Sequence, residues 1–443
     1  MYKRRKMNQL LAGILSGVMI TGLLSGCGQK AATSAENAAP QETEENSASQ
    51  DNSQEKTTAD AETTPAEDVV VTVWHDNDET MMDALADVVN NALTEDHITL
   101  KFEKKSDVSG QIQLYGTDAV NGPDMYLHAH DSLGSFVEMG ILAPLDDLIS
   151  PEQEADLLPM TLEAASYKGT QYLMPVYYET LLFMYNKELW EGEIPSTTEE
   201  LYDYMVAHTD TNAGTYALVN QHSTSYNVAP FINGFGGYII NLDAQPGLNL
   251  QETKDAITYN QKFAALQADG DYNTVTALFN EKKAAAIIGG PWLVSGIQDA
   301  GIDLGIKSLC DFTLPNGESM IPFSGVQCIG VLKYAAETKP EAISKVLGVL
   351  ADKEVGITLA KGFNCAPANS KAYEDPDVAA NEMILSMEKS AEKAIPMPNI
   401  PQMGVMWGPA EALLAAVNKS GEDVDAAAEK YQQEALTAIA DMQ

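Results

Sequence analysis

The chain has 443 residues, with 26 lysines and arginines against 64 aspartates and glutamates, for a formal net charge of −38. This balance excludes a nucleic-acid binder, which needs a basic face against phosphates, and it excludes docking of the folded surface on anionic lipid. Hydrophobic residues make up 45% of the chain, enough for full cores, and four cysteines are too few for a disulfide framework.

The N-terminus reads as an address. Lys3, Arg4, Arg5 and Lys6 precede an uncharged apolar run over 10–24. A basic start, a short apolar stretch and small residues at a cut site describe a secretory signal, and the run is short of the roughly 20 residues that a spanning helix needs. Leu24-Ser25-Gly26-Cys27 resembles a bacterial lipobox, which implies cleavage after residue 26 and acylation of Cys27. Residues 28–68 carry ten carboxylates against Lys30 and Lys56 and have no aromatic residue. Such a segment cannot bury a core, and its like charges extend it, so 27–68 is expected to be a lipidated, acidic, disordered tether. The expected location is the outer face of the cell membrane, held by lipid.

Beyond the tether, about 375 residues remain, two domains at roughly 150 to 200 residues each. A β-branched strand is predicted over 69–74, a helix over 79–93 and strands over 98–102 and 124–128. This alternation predicts an α/β domain with a mostly parallel sheet, whose ligands bind beyond the strands' carboxyl ends. Those ends carry Trp74-His75-Asp76-Asn77-Asp78 and His128-Ala129-His130-Asp131. The run 172–185, interrupted at Pro175, is too long for one strand and predicts passage between domains. Helices over 197–207, 252–267 and 274–282 then alternate with strands over 216–219 and 284–288. Gly289-Gly290-Pro291-Trp292 opens another helix. A strand follows over 326–332, and the chain is mainly helical from 340 onward, ending in a helix over 423–442.

No nucleophile elbow, zinc-protease motif or phosphate-cradling loop occurs, and Gly234-Phe235-Gly236-Gly237 lacks the dinucleotide context. No cofactor, catalytic residue or metal site is therefore assigned. His75, His128 and His130 with Asp76, Asp78 and Asp131 are read as a polar sheet edge lining a cleft. Tyr177-Tyr178 is read as core plus cleft wall, because neighbours on a strand face opposite ways. Aromatics near element ends (Trp292, Trp407, Tyr226, Tyr177 and Tyr178) recur with the carboxylates Asp78, Asp131 and Glu179. Aromatic faces bury the C–H faces of sugars, and carboxylates accept charge-assisted hydrogen bonds from hydroxyls. The same mix suits a glycoside hydrolase, which needs two carboxylates flanking the scissile bond. Binding alone needs no proton transfer and is the simpler reading.

Over essentially all of 69–443 the chain resembles the extracellular solute-binding proteins of ABC importers, and among them the maltose/maltodextrin-binding proteins. The resemblance rests on Gly122-Pro123-Asp124 through Ala129-His130-Asp131 to Gly140-Ile141-Leu142-Ala143, and on Tyr177-Tyr178-Glu179 with Tyr185-Asn186-Lys187. It also rests on Phe279-Asn280 through Gly290-Pro291-Trp292, and on Met397-Pro398-Asn399-Ile400-Pro401-Gln402-Met403 with Trp407. It implies two α/β lobes of the type II periplasmic-binding fold, joined by three crossing strands near 178–181, 324–327 and 374–376, around a ligand cleft. The first lobe would hold 69–177 plus 328–373, and the second 182–323 plus 377–443. The implied ligand-binding residues are Asp78, Asp131 and Glu179 as sugar-binding carboxylates, Tyr226, Trp292 and Trp407 as stacking aromatics, Met397 in the cleft wall, and His128 and Tyr178. The chain departs from the family at His128, where the family has tryptophan. Ser132 and Glu411 stand where it has arginine, Glu79 where it has a basic residue, and Thr224 near one of its carboxylates. The implied partners are an oligosaccharide and the importer's permease subunits, with the receptor a monomer. A sugar-binding scaffold or sensor is the third reading. After lipidation, Cys310, Cys328 and Cys365 remain, an odd number for which no disulfide is predicted.

Overall fold

The computed structural model describes residues 68–267 and 270–442. The signal, Cys27 and the tether up to residue 67 lie outside the described residues. No helix among the described residues is long and apolar enough to cross a membrane.

Two sheets organise the chain. The larger takes the order Ala366–Pro367, Leu173–Thr180, Phe323–Val331, Met125–Ala129, Val69–His75, Ile98–Lys104, with Ile395–Pro396 added to the start of Phe323–Val331. Its three N-terminal strands are parallel, as their β-α-β spacing predicts, but Phe323–Val331 runs antiparallel to Leu173–Thr180 and Met125–Ala129. The sheet is therefore mixed rather than mostly parallel. Val71, Val73, Met125, Leu127, Ile329 and Val331 alternate onto one face, under the helices Glu79–Ala92 and Pro340–Leu350. Tyr126 and Cys328 fall on the other face, with Phe136. Period-2 alternation thus selects two cores on opposite sides of one sheet.

The smaller sheet has the order Leu304–Ser308, Leu182–Asn186, Ala284–Gly289, Tyr216–Val219. Its core gathers Phe183, Phe231, Phe263, Phe312, Leu413 and Leu414 beneath the helices Ser225–Gly234, Gln251–Ala264 and Met403–Ser420.

The chain passes between the sheets where the long run predicts. Leu173–Thr180 belongs to the larger sheet and Leu182–Asn186 to the smaller, with only Leu181 between them. Pro175 is accommodated by a bulge, since the register steps from Gln327↔Tyr177 to Cys328↔Pro175 and leaves Val176 unmatched. An extra residue in the ladder is where a residue without an N–H does least harm. The return passage precedes Phe323. Around 374–376 the chain is helical, with a 3-10 turn at Ser370–Glu374 and a helix at Pro376–Ala379, each started by an Asn or Asp cap. Asp375-Pro376 explains this: Asp375 accepts from the N–H groups of Asp377 and Val378, and proline fits the first helical position.

Candidate functional site

Every predicted site residue except Tyr178 lies where strand ends of the two sheets meet. From the larger sheet, Val69–His75 leads into Asp76, Asn77 and Asp78, and Met125–Ala129 into a 3-10 turn carrying Asp131. Glu179 is the penultimate residue of Leu173–Thr180, paired with Gly325. From the smaller sheet, Ala284–Gly289 leads through Gly290 into the 3-10 turn Pro291–Leu293. Tyr226 stands in the first turn of Ser225–Gly234, and Trp407 lies in Met403–Ser420.

The aromatic side chains form a row. Tyr226 stacks on Phe323 with centroids 6.3 Å apart, and Trp292 lies 6.4 Å from Tyr226, tilted by 52°. Phe323 in turn meets Trp407 edge-on at 6.4 Å. Trp292 is 41% exposed, unusual for an indole, and Trp407 is half-buried. A Cβ at Gly290 would overlap the Trp292 ring, so glycine there lets the indole lie against its own backbone.

Against this row stand the carboxylates. His128, Ala129, Asp131, Glu179, Tyr226, Trp292, Gly325 and Met397 wall a chamber of about 330 Å³. On one side, a cavity of about 340 Å³ continues between Asp78, Tyr177, Glu179 and Trp292 towards Phe363 and Cys365. On the other, His128, Asp131 and Trp407 open into a groove of about 1240 Å³ that runs on to Glu138, Lys168 and Leu242. No lysine or arginine is among the residues lining the first two spaces.

The environment tunes these groups differently. Burial pushes the Glu179 carboxyl up to about 7, although Gln327 Nε2 donates to it at 3.0 Å. Near neutral pH this side chain therefore both accepts and donates hydrogen bonds. The Asp131 carboxylate accepts from Trp407 Nε1 at 3.4 Å, a bond that spans residues of the two strand-end clusters. Asp78 caps the helix Glu79–Ala92, accepting from the Met81 N–H at 3.1 Å, and its side chain is exposed. His128 Nδ1 faces Asp76 Oδ2 at 3.2 Å.

Three sequence expectations change in three dimensions. Tyr178 does not reach the cleft: it is 1% exposed, and its hydroxyl accepts from Tyr373 at 3.1 Å. Its neighbour Tyr177 faces the other way and donates to Asn77 Oδ1 at 3.1 Å in the inner cavity's wall. Both rings are buried because their strand lies inside the sheet with packing on each face. His130 does not share a strand face with His128, because the strand ends at Ala129. It is fully buried; its Nδ1 accepts from the Val326 N–H at 3.1 Å and its Nε2 lies 3.0 Å from the Met397 carbonyl. That pattern fixes the neutral Nε2–H tautomer, consistent with a pKa lowered by burial. His75 packs edge-on against Phe102, again with a pKa lowered by burial. Among the described residues no group of three or more His, Cys, Asp or Glu side chains is arranged for a metal ion. Cys310, Cys328 and Cys365 are free and buried.

Sequence reasoning missed Phe323 and Gln327, and it read Asp76 only as part of the polar sheet edge, not as the partner of His128. Only the antiparallel return strand brings Phe323 and Gln327 to the site, and nothing local to them signals that pairing.

The family profile described as bacterial extracellular solute-binding protein matches residues 88–385. The chain belongs to that family. The chain is 30% identical over 377 residues to a maltotriose-binding protein of Pyrococcus abyssi (strain GE5 / Orsay), covering 83% of this chain and 82% of the relative. A galactooligosaccharide-binding protein of Bacillus subtilis (strain 168) is 29% identical over 364 residues, 78% of this chain and 83% of the relative. A maltooligosaccharide ABC transporter solute-binding lipoprotein of Streptococcus pneumoniae serotype 4 (strain ATCC BAA-334 / TIGR4) is 26% identical over 341 residues, 73% and 79% of the two chains. The crystal structure of a cyclo/maltodextrin-binding protein complexed with maltotetraose superposes with a TM-score of 0.72 at 24% identity, covering 84% of this chain and 98% of that one. This solute-binding protein therefore has the two-lobed periplasmic-binding fold.

Proposed function

We propose that this solute-binding protein captures maltodextrin-type oligosaccharides between its lobes and delivers them to an ABC importer. The observation that carries the reading is the central chamber, about 330 Å³, with Asp131 and Glu179 on one wall and Tyr226 and Trp292 on the other. A glucose unit is an apolar C–H face ringed by hydroxyls. Indole and phenol faces bury the first, and carboxylates accept from the second. Asp78 extends the acceptor wall and Trp407 the aromatic one, while Met397 and His128 close the sides. The relatives named for maltotriose and maltooligosaccharides support an α-glucan.

Closure follows from the wiring. Three passages, at Leu181, before Phe323 and between Ile395–Pro396 and Met403–Ser420, connect the lobes, so a small change in a few backbone angles rotates one lobe on the other. A ligand that touches both walls binds the closed state better and shifts the population towards it. The permease would read that closed form. Holding a hydroxyl needs no bond breaking, so the protein is read as a receptor and not a hydrolase: maltodextrin incubated with it should keep its chain length. The lipobox-like run and the acidic segment after it support a receptor held on the membrane's outer face through Cys27, so Cys27→Ser should release it or leave an uncut precursor.

Calorimetry of the folded domain against maltose, maltotriose and longer maltodextrins tests the ligand class, with galactooligosaccharide alongside because one relative is named for it. Saturable heat with α-glucans is expected. Heat only with a β-linked or non-sugar ligand would overturn the choice of cargo.

A further inference from the structure

We infer that Asp76 is a positioning residue for His128, and that this pair is a pH-dependent specificity determinant for ligands that extend from the central chamber into the groove beside Trp407. The inference rests on the oligosaccharide reading above and names residues to which that reading gives no such role.

His128 lies at the neck of the cleft. It lines both the central chamber and the larger groove, as only Asp131 also does. A chain of sugar units longer than the chamber must pass it. The strands Val69–His75 and Met125–Ala129 are parallel with His75 opposite Leu127, which sets Asp76 beside His128. The Asp76 oxygens lie 3.3 and 3.2 Å from His128 Nδ1. Asp76 is not among the residues lining either space, so its reach to a ligand is through the imidazole.

This geometry assigns the ring's two nitrogens. Nδ1–H donates to Asp76, which leaves Nε2 for the cleft. In the neutral ring Nε2 accepts a hydrogen bond; in the imidazolium it donates one, with charge behind it. Burial works against the charged ring, but the Asp76 hydrogen bond and charge, with Asp131 and Asp107, leave the His128 pKa raised. Burial also opposes the Asp76 carboxylate, yet the His128 contact and charge and the nearby His75 leave its pKa lowered. Glu179 and Tyr226 are the other titratable groups lining the chamber, and the charge of Glu179 acts on this pair too. The imidazolium, held by Asp76, thus offers a charged donor to a ligand oxygen at the neck, and raising the pH removes it.

The test is calorimetry from pH 5.5 to 8.5 with maltose and with maltotetraose. Wild type and a Glu179→Gln background, which removes the chamber's other group raised toward neutrality, are measured in parallel; Asp76→Asn and His128→Gln are compared in both. Asp76 is exposed, so Asp76→Asn leaves the fold intact. In the background, maltotetraose affinity should fall about three- to tenfold as pH rises through the His128 transition, while maltose changes less than twofold. Asp76→Asn should move that transition down by about one pH unit, and His128→Gln should flatten the profile. The ring's NMR titration in ligand-free protein should move by the same amount. An unmoved transition in Asp76→Asn, or equal pH dependence for both sugars, would overturn the inference while leaving oligosaccharide capture standing. Absence of binding of any oligosaccharide by the wild type would defeat the functional reading and the inference together.

Discussion

Trp292→Ala separates a ligand-binding indole from a structural one. Trp292 leaves 41% of its surface open. With an aromatic side chain burying up to about 250 Å², that fraction is roughly 100 Å². At about 25 cal/mol per Å², covering all of it would contribute about 2.5 kcal/mol, and a sugar ring that covers half would contribute about 1.3 kcal/mol. Loss of the indole should therefore weaken maltotriose binding by roughly tenfold, with about seventyfold as the ceiling. The exposed face contributes nothing to the apo fold, but the covered part packs by Tyr226 and the Gly290 backbone, so the melting temperature should fall by less than for a fully buried tryptophan. Calorimetry and a thermal melt on one preparation check both halves. Unchanged affinity, or a large loss of melting temperature without loss of affinity, would refute the reasoning.

The remaining predictions concern what holds and tunes the cleft. Glu179 has a folded pKa of about 7, above the ordinary 4.5, because burial disfavours its charge. Below pH 4 both states are protonated and the group is neutral in its effect; as pH rises from about 4.5 to 7 the unfolded state loses its proton first, so stability falls, by up to about 3 kcal/mol. Glu179→Gln should therefore match the wild type at pH 4 and melt higher at pH 8, read by melts across that range; an equal difference at both ends would contradict it. His130→Ala strands the Val326 N–H and the Met397 carbonyl in the core. It should cost about 2–4 kcal/mol in urea unfolding. Gly290→Ala pushes a methyl group into the Trp292 ring, and sugar affinity should fall severalfold while urea stability drops by about 1 kcal/mol.

Much of this was legible in the chain. Strand-helix-strand spacing located Val69–His75, Glu79–Ala92 and Ile98–Lys104, and the overlong run around Pro175 marked the passage at Leu181. Asp78 and Asp131 stood out because they follow strand ends, whereas Tyr226 and Trp407 lie in helices and owe their assignment as stacking residues to the family resemblance. What escaped depends on pairings remote in sequence. The antiparallel return of Phe323–Val331 makes the sheet mixed and delivers Phe323 and Gln327, and the register of two parallel strands sets Asp76 beside His128. His130 was read into the polar sheet edge beside His128, but the strand ends at Ala129 and the His130 ring turns into the core. Alternation also allowed Tyr178 into the cleft, where the packing on both faces of an inner strand left room for neither tyrosine to be freely exposed.

The account's central claim is that one ligand touches both lobes at once. Hydrogen exchange of the folded domain, with and without saturating maltotriose, tests this directly by reading every backbone segment together. The account predicts simultaneous protection at 128–132 from the first lobe and at 290–296 and 403–408 from the second. Protection confined to segments of one lobe, in a sample that calorimetry shows to be saturated, would contradict it.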